Sequence, residues 1–136
     1  MDATLGLIAE YATISNDGKL SVLGIFDQMS SATFPTGVPI FYVVVSLAAG
    51  PAEFGSQRQI GIALHSQDGK ELFKSESTET VPKAPLPGIK SAMNRIWAFP
   101  GVGFVNPGTY EFSILVDGRT ERTIPLYILQ LKGEQP

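Results

Sequence analysis

Apolar residues fall on every second position along much of this chain. The pattern is clearest from Thr109 to Val116, where Tyr110, Phe112, Ile114 and Val116 alternate with Thr109, Glu111, Ser113 and Leu115. That period puts the four on one face of a strand. Asn106-Pro107-Gly108 leads into this strand and Asp117-Gly118 ends it, with Arg119 to Leu131 as the returning partner. The same alternation predicts a first hairpin from Thr4 to Ile14 and Lys19 to Phe26. A second is predicted from Arg58 to Ser66 and Lys70 to Ser77, with Ile60, Ile62 and Leu64 as its inner set. Ile40 to Ala48 is apolar at both parities, as a central strand covered on two faces would be. Ile89 to Phe99 predicts a further strand, and Gly101 to Val105 its irregular continuation after Pro100. Asp27 to Pro39 is expected to be a loop. Thr78 to Gly88, with Pro82, Pro85 and Pro87, is expected to be an extended connection or an edge cover.

The turns fix which side chains face each other. A two-residue loop at Asp117-Gly118 would set Phe112 against Thr123 and turn Ile124 and Leu126 away from the Tyr110 side. A three-residue loop over Val116-Asp117-Gly118 sets Tyr110 against Ile124 and makes the apolar sets coincide, so it is preferred. Loops of the same length at Asn16-Asp17-Gly18 and Gln67-Asp68-Gly69 set Ile8, Ala12 and Ile14 against Phe26, Val22 and Leu20, and Leu64 against Leu72. About eight strands in antiparallel hairpins, without a helix, predict an all-β single domain over residues 1–136. The expected form is an antiparallel β-sandwich, Ig-like or jelly-roll.

A chain of 136 residues is long enough to bury roughly two thirds of its unfolded surface. It contains no Cys, which leaves no disulfide framework, no thiolate nucleophile and no Cys-ligated metal. The start Met1-Asp2-Ala3-Thr4 does not read as a signal peptide, and no apolar run approaches a membrane span, so a cytoplasmic, membrane-free protein is expected. Net charge is −3, and the ten Lys and Arg are scattered singly, which argues against a nucleic-acid partner. Only 17% of residues are charged while 43% are hydrophobic, less solvated surface than a monomer of this size usually carries.

Gly18-Lys19-Leu20, Leu23-Gly24-Ile25-Phe26-Asp27, Phe34-Pro35, Pro107-Gly108-Thr109-Tyr110-Glu111-Phe112, Val116-Asp117-Gly118 and Pro125-Leu126 together resemble a family of short bacterial all-β proteins of unknown function. The likeness spans nearly the whole chain. It implies a stand-alone all-β domain of bacterial origin and brings no activity, cofactor or catalytic residue with it.

Residue chemistry adds little. His65 is the single histidine, and the hairpin register puts it on the outer face opposite Glu71, where a solvated cross-strand pair accounts for it. No Gly-x-Ser-x-Gly elbow accompanies it. Asp17, Asp68 and Asp117 could suggest calcium, but each precedes a Gly in a turn that requires Asp-Gly on conformational grounds. Asp27 closes a strand with no Gly after it and suits a side-chain cap of the following loop. Gly101-Val102-Gly103 precedes no helix and so forms no phosphate cradle. No cofactor or metal is expected, and no catalytic constellation is present.

Two features point to binding. Arg95, Trp97 and Phe99 share one strand face and could form an aromatic platform for a sugar or an extended peptide, although a core-filling Trp97 with Arg95 at the rim is the simpler account. In addition, the register that turns Ile8, Ala12 and Ile14 inward leaves Ala9, Tyr11, Leu23 and Ile25 on the other face. The last strand likewise leaves Tyr127, Leu129 and Leu131 outward. Apolar stripes on outer faces need a cover, either a loop such as Asp27 to Pro39 or another protein. The leading expectation is a non-catalytic binding module that self-associates through Tyr11, Leu23, Ile25, Tyr127 and Leu129. The alternative is a small-ligand domain built on the Trp97 face.

Overall fold

The computed structural model describes residues 1–131, so the end of the domain expected over 1–136 lies outside the described residues. Among these the chain is all-β, with one 3₁₀ turn at Pro51–Glu53 and several sheets, none of them closed. One sheet, here sheet A, has β1 (Asp2–Ile14), β2 (Leu20–Phe26), β5 (Phe41–Ala49) and β8 (Ser91–Phe99) in the order β2-β1-β5-β8. Sheet B holds β3 (Gln28–Ser31), β6 (Gln57–His65), β7 (Glu71–Thr80), β10 (Gly108–Val116) and β11 (Arg119–Gln130) in the order β3-β11-β10-β6-β7. A small pair joins β4 (Thr36–Gly37) to β9 (Gly103–Phe104).

The alternation that predicts the strands also builds the core. Ile8, Phe41, Val43, Val45, Leu47, Met93 and Phe99 of sheet A cluster with Ile60, Ile62, Leu64, Tyr110, Phe112, Ile114, Ile124, Leu126 and Ile128 of sheet B. Phe99 is central here, stacking on Phe41 at 5.3 Å and meeting Phe112 at 5.2 Å. Tyr110 is buried, and its hydroxyl donates to the carbonyl of Asn106 at 2.6 Å, which satisfies its polar end.

The first hairpin has the expected register: Ile8 faces Phe26, Ala12 faces Val22 and Ile14 faces Leu20. The other two differ by bulges. In the β10–β11 hairpin Val116 faces Arg119, so the loop is the two-residue Asp117-Gly118 with both φ positive, at 51° and 79°. A bulge between Ile114 and Leu115 then shifts the ladder, so that Tyr110 faces Leu126, not Ile124, and Phe112 faces Ile124. One extra residue on β11 restores the apolar match that the short turn would have broken. In the β6–β7 hairpin the three-residue loop forms as expected, with Ser66 N–H donating to Lys70 O at 2.9 Å, but a bulge at Leu72, between the Leu64 and His65 pairs, sets Leu64 against Phe73, not Leu72. The Asp27 to Pro39 segment is not all loop: β3 pairs in parallel with β11, and β4 with β9.

Strand β1 does not stay beside β5 along its whole length. Its ladder with β5 ends at Ala9 opposite Tyr42, while its pairing with β2 continues to Ile14. In a flat sheet the hairpin tip would run on beyond Phe41, on the order of 30 Å from Asn94 at ~3.3 Å per residue. Instead Asn94 Nδ2 donates to Gly18 O at 3.2 Å, which brings the tip back to β8. The hairpin therefore bends across sheet A. It bends over the outer face: Val44, on that face, is fully buried, as are Ala9 and nearly Ala12, and none of the three belongs to the core between the sheets. Tyr11 meets Tyr42 edge-on at 5.9 Å on the same side. The bend falls at Glu10 and Gly24, where Gly24 takes φ +69°. The two-sided apolarity of β5 is thus matched by cover on both faces, the core on one and the chain's own hairpin on the other.

Candidate interaction surface

The five residues expected at an interface form two groups. Tyr11 and Leu23 are cross-strand partners and Ile25 lies next along β2; their exposures are 49%, 67% and 65%. Ala9, expected beside them, is fully buried under the bent hairpin. Tyr127 and Leu129 lie on the outer side of sheet B, paired with Gln28 and Ser30 of β3, with Tyr127 half-buried and Leu129 exposed at 44%.

Strand β2 is also the end strand of sheet A, so the N–H and C=O groups on its far side have no ladder partner there. Its sequence, Leu20-Ser21-Val22-Leu23-Gly24-Ile25-Phe26, carries no charge and no proline. β3, which ends sheet B, is likewise uncharged but only four residues long, whereas the end strands β7 and β8 differ. β7 carries Glu71, Lys74, Glu76 and Glu79, with Lys74 and Glu76 paired at 3.4 Å. β8 is tied at its edge, where Arg95 binds Glu79 of β7 and donates to Asn94 O at 2.8 Å. Burial holds the Arg95 guanidinium below its ordinary range.

The second candidate face turns toward the interior. Arg95, Trp97 and Phe99 lie opposite Val45, Val43 and Phe41, all three of which are core residues. Phe99 is 5% exposed, and Trp97 is half-buried against the core. The acidic turn residues are occupied locally. Asp17 accepts from Ser15 and Asp68 from Ser66, and these hydroxyls hold both carboxyls below the usual range. Asp117 accepts from Arg58 Nη1 at 2.8 Å and from Gln59 N–H at 2.9 Å, and it too is held low, first by Arg58. His65 lies across from Glu71 as expected, 3.9 Å from its Oε1. Among the described residues no three His, Asp or Glu side chains converge as a metal site would require.

A pocket of about 620 Å³ was not anticipated from the sequence; it lies beneath the bend of the first hairpin. Its walls are β2, β3 and the segment leading into β5, and its apolar floor includes Phe26, Phe41 and Ile128. It exists because β1 leaves β5 at Ala9, so that no ladder strand closes the end of the core beyond Phe41. The signal available in the sequence was Glu10, a charge in phase with the apolar residues Ile8, Ala12 and Ile14.

The match of a model described as "Family of unknown function (DUF6941)" to residues 4–129 decides the relationship. The chain belongs to that family. The match agrees with the resemblance to a family of unknown function. No curated protein matches the chain. No helix among the described residues is long and apolar enough to cross a membrane.

Proposed function

We propose that this family member is a non-catalytic β-sandwich module that acts by binding protein, and that the protein it binds through its first hairpin is a second copy of itself. The observation that carries this is β2: an end strand with an open backbone edge, no charge, and Leu23 and Ile25 about two thirds exposed beside Tyr11. Soluble proteins blunt such edges with charges, prolines or cover. An edge left apolar suits pairing with its own copy, because two β2 strands related by a two-fold axis would run antiparallel and bring both Leu23-Ile25 pairs together. The shortage of charged residues, 17%, fits a chain that hides part of its surface in this way. Tyr127 and Leu129 form a second, smaller patch for a further contact.

The immunoglobulin-like form of the sandwich is supported by three features. Both large sheets feed one core, a first-half strand, β3, pairs in parallel with the last strand, and Tyr110 closes a corner onto Asn106 near the start of the strand before last. The test is the solution mass by light scattering on a sizing column over a tenfold concentration range. A dimer that persists in the wild type and becomes a folded monomer on combined Leu23→Lys and Ile25→Lys supports the proposal. A wild-type monomer throughout overturns it.

A further inference from the structure

We infer that the pocket beneath the first-hairpin bend binds a small organic cation, a primary amine carried on an apolar body, with Glu10 as its counter-ion. Its volume, about 620 Å³, lies in the range of small-molecule sites, and its composition is theirs as well: an apolar floor with a few polar groups at the rim. Among the described residues Glu10 is the only charged one bordering it, and none of the described Lys, Arg or His residues shares the wall. An anionic ligand would be repelled by that carboxylate, whereas an ammonium group would meet its complement. The hydroxyls of Ser30 and Thr36 at the same rim can accept the remaining ammonium donors, and Phe26, Phe41 and Ile128 offer the surface for an apolar chain.

The local structure is built around this carboxylate. Glu10 lies at the bend of β1, between the buried Ile8 and Ala12, and its side chain is exposed at the edge of the pocket. Residue 24 faces it across the strand pair and is glycine. A β-carbon there would crowd the Glu10 carboxyl, 2.9 Å from its Cδ, and would have to be carried at φ +69°. A carboxylate at the edge of a pocket, with room made for it by a backbone most residues disfavour, is the kind of local feature that folds keep at functional sites.

The test is an amide NMR titration of the whole chain with n-hexylamine and with 1-hexanol as its neutral match. The expected result is saturable shifts at Gly24, Ser30 and Gly37, with the amine binding roughly tenfold tighter than the alcohol. Glu10→Gln should bring the amine down to the alcohol's affinity. Glu10→Lys should abolish amine binding while the spectrum stays dispersed, which separates loss of the site from loss of the fold. Equal affinity for amine and alcohol in the wild type, shifts mapping to another part of the chain, or no saturable shift at millimolar ligand would each overturn the assignment.

Discussion

Strands β2 and β7 end different sheets and face the same physical problem in opposite ways. Each leaves a row of backbone groups unpaired on one side. β7 meets this with Glu71, Lys74, Glu76 and Glu79 along a strand exposed over nearly its whole length, so that a second strand docking there would have to strip water from charges. β2 has no charge at all, and its one interruption is the Gly24 bend. The contrast teaches that the chain carries the means to protect an edge and uses them selectively. An edge left unprotected beside Leu23, Ile25 and Tyr11 is therefore the one to test as a binding surface.

Breaking β2 should have the largest effect. Lysines at positions 23 and 25 place charges where the two copies would meet. If each central apolar side chain contributes about 1 kcal/mol to the interface, losing the four of a two-fold dimer should weaken it on the order of a thousandfold. Sedimentation should show a monomer, and the melting curve at low protein concentration should be unchanged. The reverse experiment removes the protection of β7. Lys74→Val with Glu76→Val should leave the isolated domain within ~0.5 kcal/mol of its original stability, since both side chains are outward. It should also make the protein associate beyond a dimer as concentration rises; a distribution identical to wild type would mean that charge is not what keeps this edge single.

Gly24 and Gly18 sharpen the comparison within the first hairpin. Both have positive φ, +69° and +83°, but a β-carbon at Gly18 meets nothing within 4 Å, while one at Gly24 runs into Glu10. Gly18→Ala should cost only the left-handed strain, about 1 kcal/mol. Gly24→Ala should cost a few tenths of a kcal/mol more, about 1.5 kcal/mol in all, because the exposed Glu10 carboxyl must also swing aside. Calorimetry giving equal losses at the two sites would show that the bend tolerates a side chain and that Glu10 is not held by it.

These residues also show what the sequence made legible. The inward sets Ile8, Phe112, Ile114, Ile60 and Ile62 follow from period-two alternation alone, and the first hairpin's register follows from its turn. Bulges break this logic because a single extra residue leaves no mark in composition. Leu72 and Phe73 are both apolar neighbours, and either could have faced Leu64; the bulge at Leu72, between the Leu64 and His65 pairs, selects Phe73, which packs edge-on against Phe99 at 5.4 Å. Strand β3 was hidden for a different reason. Gln28-Met29-Ser30-Ser31 has little strand character of its own and is held by its ladder to Tyr127–Gln130. The pocket depends on where β1 leaves β5, a tertiary event, yet Glu10 in an apolar phase and Gly24 across from it were its two visible traces.

The smallest effect concerns the turn that anchors the charged side of sheet B. Asp117 sits at φ 51° in the β10–β11 turn and bonds to Arg58 and Gln59 at the start of β6, the strand that carries β7. Its carboxyl is held below the ordinary value of 3.8, chiefly by Arg58. A depressed folded-state value means that the carboxylate's contribution to stability is present above 3.8 and is lost as pH falls through the lower folded value. Asn tolerates the left-handed turn and can still accept from Gln59 N–H, so Asp117→Asn removes the charge pair and little else. The expected outcome is a variant slightly less stable at neutral pH whose thermal unfolding curve converges on the wild type's as pH drops below about 4. Asp17 and Asp68 remain in both proteins and cancel from the difference. Curves that stay parallel from about pH 7 to the acid limit would show that the Arg58 pair contributes nothing to the fold, and that the turn is held by its backbone alone.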